Sequence, residues 1–193
     1  AGSFKCTRTD DDGYEQVLGF ALQGEMLGLD ALSTQHHASG VSALEDSAVA
    51  ALPLSDLLPH SGRLHAMEQL LWHATGVELR NRAETQYQMS APSTEVRLAR
   101  FLLHLAQQQL ALGHSGRHLN LRMSRRDIAS CLGVAHESVS RALATLAQAG
   151  CITVNMREIE IIDAAAMHAL QRVTRGAPRS RELRHAMAHT YAS

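Results

Sequence analysis

Short apolar groups between turn residues occupy the first 58 positions, and the period then changes. Residues 16–22 and 48–52 are apolar, and Gly13, Gly19, Gly24, Gly28 and Gly40 punctuate the region. That spacing predicts short strands in a small barrel or sandwich. From about residue 62 to 89 a helical period takes over. Trp72, Thr75, Leu79, Arg82 and Gln86 recur every three or four positions, with Leu64, Leu70 and Leu71 extending the apolar character toward the start. A long helix with one mixed stripe is a candidate dimer coiled coil, although an ordinary core helix has the same spacing. Arg82 weakens the coil reading, because a charge facing its symmetry mate is costly unless paired.

Ala91-Pro92 breaks that helix, and Ser93 is placed to cap the next one. Leu98, Phe101, Leu102 and Leu105 follow at i, i+3, i+4 and i+7, until Gly113 stops the helix. Residues 114–120 read as a polar loop. Ser124, followed three residues later by Asp127, resembles a capping box opening a short helix, with Ile128 and Leu132 inward. Gly133 supplies a residue able to turn left-handed. A second helix from about His136 to Gln148 buries Val139, Ala142, Leu143 and Leu146. Small Ala129, turning Gly133 and plugging Val139 have helix-turn-helix spacing. Ile152, Val154, Ile159 and Ile161 alternate with polar residues on either side of residues 155–157, predicting a hairpin wing.

The outer face of the second helix carries the chemistry. Glu137, Ser140 and Arg141 share one side near its N-terminus. Arginine can grip guanine O6 and N7 with two hydrogen bonds, and a carboxylate can accept from the cytosine amino group. The bland alternative is a solvated face with one weak ion pair. Arg117, Arg122, Arg125, Arg126 and Arg141 outnumber Asp127 and Glu137 over residues 116–148, an excess suited to phosphate. Arg157, at the wing tip, is placed to join them.

Composition changes the picture in one respect. The net charge of −1 conceals about −7 over residues 1–60 and +6 over the remainder. The basic part is the one expected to meet a polyanion. No apolar run reaches the roughly 20 residues of a membrane span, and no signal-peptide pattern opens the chain. Cys6, Cys131 and Cys151 make neither a disulfide framework nor a zinc pattern, so a cytoplasmic home is expected. His185 and His189 lie at i, i+4, but without the glutamate of a zinc-protease motif, so no metal site is assigned. The tail 171–193 is basic. No nucleophile–base pair, phosphate loop or metal cluster supports an enzyme.

Taken together, residues 95–102, 125–143 and the Glu137-x-x-Ser140-Arg141 signature resemble the Crp/Fnr superfamily of bacterial transcription regulators, on its Fnr side. Residues 16–32 and 42–53 resemble the end of that family's effector-domain β-roll. The resemblance implies an α+β chain with a partial, cupin-like β-roll (1–58), a dimerisation helix (59–90) and a C-terminal winged helix-turn-helix (91–170). The family's roll begins roughly 60 residues earlier, which implies a truncated sensor. The resemblance further implies a homodimer on a palindromic, double-stranded TTGAT-like site. Glu137 and Arg141 would read the G·C pair, and Ser140 would lie near thymine. His136 stands beside them where a small apolar residue is usual, and Ala135 stands where the helix cap usually is. Arg122, Ser124, Arg125, Arg126, Ser138 and Arg157 are the expected phosphate contacts. Leu71, Trp72, Thr75, Leu79, Arg82 and Gln86 are the expected dimer interface.

The same resemblance bears on cofactors. The internal cysteine of the family's iron–sulfur cluster falls at Ala50, and the Arg-Ser pair that grips cyclic-AMP phosphate falls at His37 and Ala38. Neither cofactor is therefore expected on the residues present. The acidic turn at residues 10–13 corresponds to a region that can touch RNA polymerase. A winged-helix protein-interaction module without sequence-specific DNA binding is the alternative, and the salt dependence of binding separates the two.

Overall fold

The computed structural model describes residues 1–53 and 64–172. The basic tail and the His185–His189 pair lie outside the described residues, apart from Gln171 and Arg172. The chain divides into two compact units, Ala1–Gln86 and Tyr87–Ser193.

The first unit holds a three-stranded antiparallel sheet, with β1 (Phe4–Thr9) between β2 (Glu15–Ala21) and β3 (Gly40–Ala43). The β1–β2 hairpin turns on Asp10, whose carbonyl accepts from Gly13 N at 3.0 Å and whose side chain accepts from Tyr14 N at 2.8 Å. This aspartate-led turn is the acidic segment recognised in the sequence. The expected strand at 48–52 does not form: those residues are exposed and join no sheet. Its place is taken by Gly40–Ala43, which pairs with β1 although all four residues are exposed. Apolar content without a pairing partner does not make a strand.

Between β2 and β3 the chain passes through a 3-10 turn, Leu29–Ala31, and closes a loop around Asp30. The Asp30 carboxylate accepts from Ala38 N at 2.9 Å, Ser39 N at 3.1 Å and Ser39 Oγ at 2.9 Å, and it pairs with His37 Nδ1 at 3.2 Å.

The long helix α1 (Leu64–Met89) follows, and the unit boundary falls within its last turns. Inside the first unit, Asn81 Nδ2 donates to Glu25 Oε1 at 2.8 Å. Ala74 is buried, whereas Leu70, Trp72 and Leu79 on the same helix are exposed. Twenty-six residues make a rod of about 39 Å.

The second unit is a helix-turn-helix with a wing. Helix α2 (Thr94–Ala111) is capped by Ser93, which accepts from Val96 N, and it ends before Gly113 at φ 79°. It supplies the core with Val96, Leu98, Phe101, Leu102 and Leu105. Residues 118–120, read as loop, instead form a short strand β4 (His118–Asn120). Leu119, 4% exposed, pairs with Ile159 and anchors it.

Helix α3 (Arg125–Leu132) starts with the expected box. Ser124 Oγ accepts from Asp127 N at 3.1 Å while Asp127 Oδ2 accepts from Ser124 N at 2.9 Å. Gly133 ends it at φ 61°, the left-handed conformation a turn needs here. Helix α4 (His136–Gln148) then packs against both α2 and α3. Strands β5 (Ile152–Asn155) and β6 (Glu158–Ile161) make the wing, with β6 between β4 and β5. Ile152, Ile159 and Ile161 are buried, but Val154 is 38% exposed at the outer end. Helix α5 (Ala164–Arg172) closes the unit against α2, its first turn capped by Asp163.

Replacing Ser124 with Ala should cost about 1 kcal/mol of stability, the usual worth of such a cap. The denaturant midpoint should fall at unchanged slope. The Asp30 loop makes a pH prediction. Burial alone would push its carboxyl up, but hydrogen bonds from His37, Ser39 and two backbone amides outweigh it and lower the pKa from 3.8 to about 2. A depressed carboxyl stabilises the fold above its ordinary pKa, and that contribution disappears as pH falls through the folded value. The Ala38 and Ser39 amide resonances should therefore titrate with a midpoint near 2, not at the ordinary value of about 4. They should not titrate in Asp30→Asn.

Candidate nucleic-acid interface

Helix α4 presents two opposite faces. Val139, Ala142, Leu143 and Leu146 are buried. At about 100° per residue, Glu137, Ser140 and Arg141 fall on the far side, and all three are exposed. The structure thus brings the three together on one outward face. His136 and Ser138 flank it: His136 is exposed, with its ring nitrogen 3.7 Å from Glu137, and Ser138 is half-buried.

The face is already ordered by short-range bonds. Arg141 Nη2 donates to Ser138 Oγ at 3.1 Å, and Thr145 Oγ1 donates to the Arg141 carbonyl at 3.0 Å. Glu137 is held below the ordinary carboxylate range by a bond to its own backbone amide and then by His136, with Arg141 adding a smaller pull. It is an acceptor-only carboxylate at neutral pH. Ala135 at the N-cap offers no side-chain oxygen to the first turn.

The basic residues around this face have different surroundings. Arg126 and Arg157 are exposed, Arg122 is exposed beside buried Leu121 and Met123, and Ser124 is exposed at its helix cap. Arg125 is half-buried, and its Nη2 donates to the carbonyl of Met156 at 2.8 Å. Met156 sits at φ 53° in the two-residue wing turn, a conformation costing a non-glycine residue about 1–2 kcal/mol. Arg125 fixes that turn to the start of α3 and holds Arg157 beside it. Arg117 faces Glu160 at 3.2 Å.

One residue the sequence reading missed belongs with these. Arg97 on α2 donates from Nη1 to the carbonyls of Leu132, at 2.9 Å, and Gly133, at 3.4 Å, the turn between α3 and α4. The signal available was an arginine directly beside the apolar positions of α2. Arg100, one turn on, is a second. It is 6% exposed, stacks on the Tyr87 ring at 3.8 Å, and leaves its Nε without a hydrogen-bond partner.

On α1, the expected interface residues Trp72, Leu79, Arg82 and Gln86 are exposed, whereas Leu71 and Thr75 are half-buried. Trp72 is 77% and Leu79 64% exposed. Arg82 is paired along its own helix, with Nε 2.7 Å from Glu78 Oε1, which relieves the charge expected to oppose a coil.

Two places in the chain correspond to the cofactor positions of the resemblance. In the Asp30 loop, the amides of Ala38 and Ser39 and the Ser39 hydroxyl serve the Asp30 carboxylate. His37 and Ala38 add no guanidinium. Ala50 carries no thiol, and Cys131 and Cys151 are buried in the second unit, where burial pushes Cys131 up to about 12 and raises Cys151. Among the described residues, no three His, Cys, Asp or Glu side chains converge as a metal site requires. No described helix is long and apolar enough to cross a membrane.

Comparison with known proteins meets this geometry. Residues 96–170 match a Crp-like helix-turn-helix domain, and residues 1–59 match a cyclic nucleotide-binding domain. The transcriptional regulatory protein btr of Bordetella pertussis is 37% identical over 162 residues, covering 84% of this chain and 67% of its own length. The fumarate and nitrate reduction regulatory protein of Salmonella typhimurium is 32% identical over 175 residues, covering 91% of this chain and 70% of its own. Among solved structures, FixK2 from Bradyrhizobium japonicum superposes with a TM-score of 0.77 at 27% identity, covering 93% of this chain and 86% of that one. The first of these relatives is named as a transcriptional regulatory protein and the second as a regulatory protein. The chain belongs to the Crp/Fnr family, on its Fnr-like branch, and is a transcription regulator with a helix-turn-helix DNA-binding domain.

Proposed function

We propose that this regulator binds, as a homodimer, a palindromic site with TTGAT-like half-sites, and reads it through α4. The observation that carries the reading is the exposed triple Glu137, Ser140 and Arg141 opposite a fully buried apolar face. Arg141 takes guanine O6 and N7, and Glu137, ionised, accepts from the cytosine amino group of the same pair. Ser140 lies toward thymine and His136 toward the neighbouring base. Arg122, Ser124, Arg126 and Ser138 meet phosphate. Ser138 accepts from Arg141, so its hydroxyl hydrogen remains to donate. Arg157 and Arg125 bring the wing to the backbone. These contacts position the protein without reading sequence.

The dimer joins along α1. Trp72 and Leu79 expose more apolar surface than an isolated helix tolerates cheaply, and Leu71, Thr75, Arg82 and Gln86 extend that surface. A signal to the β-roll shifts the dimer between conformations that differ in the placing of the two recognition helices. The acidic turn at 10–13 is the surface this reading offers to RNA polymerase. The three cysteines, free thiols, accord with a cytoplasmic setting.

Arg141→Ala should weaken binding to a TTGAT-type palindrome by about 1–3 kcal/mol and relax the choice at its G·C pair. Electrophoretic or fluorescence titration against half-site variants measures both; unchanged binding rejects the assignment. Leu79→Asp should yield monomers in sedimentation equilibrium and weaken palindrome binding far more than half-site binding. A persistent dimer would place the interface elsewhere.

A further inference from the structure

We propose that Arg97 is a positioning residue for DNA reading, tying the turn before α2 to the turn of the helix-turn-helix through one guanidinium. Its Nε donates to the Ala91 carbonyl at 2.7 Å, and its Nη1 donates to the Leu132 carbonyl at 2.9 Å and the Gly133 carbonyl at 3.4 Å. Two turns far apart in sequence therefore share one rigid plane. The Leu132 and Gly133 carbonyls are at the C-terminal end of α3, where helix carbonyls lack partners along the helix and a cation is favoured. Two residues after Gly133 comes Ala135, the N-cap of the recognition helix, which has no side-chain bond of its own.

The Ala91 end is equally constrained. Arg100 donates to the Tyr87 carbonyl and to Ser90 Oγ while stacking on the Tyr87 ring, so residues 87–91 are held to α2 by two guanidinium groups. Arg97 continues from there to the turn before α4, alongside the direct packing of α2 on α4. A displacement at residue 91, where α1 has just ended, reaches α4 through a short, stiff path. A lysine at 97 would have a single ammonium and could not span both carbonyl groups with the same geometry.

This inference rests on the base-reading proposal, and its test separates the two. The wild-type chain, Arg97→Met and Arg97→Lys are titrated with a TTGAT palindrome and with a scrambled duplex over a range of salt. Amide hydrogen exchange at Gly133 and Val134, whose N–H groups bond to Ser130 and Ala129, is followed in the absence of DNA. Arg97→Met should lose about tenfold in affinity for the palindrome, with binding to the scrambled duplex and the salt slope unchanged. Gly133 and Val134 should exchange about tenfold faster, while the amides of the α2 core keep their protection. Arg97→Lys should fall between the two proteins, and it serves as the test variant if Arg97→Met does not fold. A salt slope lower by about one would mean that Arg97 touches phosphate directly, overturning the proposal. Unchanged discrimination with unchanged exchange, or a lysine variant equal to wild type, would also overturn it. If the wild type fails to distinguish the duplexes, the base-reading proposal falls, and the exchange rates alone decide the role of Arg97.

Discussion

Val139, Ala142, Leu143 and Leu146 lie buried between α4 and its neighbours α2 and α3, and the outward placing of Glu137, Ser140 and Arg141 depends on that burial. A buried valine or leucine contributes about 1.5–3 kcal/mol, whereas an exposed Glu–Arg attraction contributes at most about 1 kcal/mol. Packing therefore decides which way α4 faces, and electrostatics only adjusts side chains afterwards. With those four positions inward, the pitch of the helix leaves Glu137, Ser140 and Arg141 outward. Two small residues are among the buried ones: Ala129 on α3 is 3% exposed and Ala142 on α4 is 0% exposed.

The second unit was legible because its cues are local. Ser124 and Asp127 cap within one turn, Gly133 reverses the chain at a single residue, and the 3.6-residue period repeats over each helix. Strands depend on distant partners and were less legible. β4 has one apolar residue, Leu119, and exists because β6 pairs with it far along the chain. Residues 48–52 look more strand-like than Gly40–Ala43, yet only the latter finds β1. Hydrophobic pattern reports burial, and a strand also needs an edge to join.

The candidate interface divides the same way. The outward face of Glu137, Ser140 and Arg141 follows from helical periodicity and could be drawn from the sequence. Arg97 and Arg125 could not be placed, because both spend donors on backbone carbonyls, which every residue possesses and no sequence distinguishes. An arginine near a DNA-binding motif reads first as a phosphate contact. Arg125 shows that it can also brace the wing, with a loss of water contact that lowers its pKa.

The two units handle polar groups in opposite ways, and the contrast separates fold from function. In the loop of residues 28–40, the Asp30 carboxylate gathers two backbone donors and a hydroxyl donor within the fold. Around α4, Arg126, Arg141 and Arg157 face solvent with no carboxylate bonded to them among the described contacts. Cationic donors left outward beside an ordered acceptor, Glu137, suit a partner with both phosphates and base edges. In the first unit the donors around Asp30 are engaged within the fold, whereas α4 and its neighbours keep cationic donors exposed to solvent.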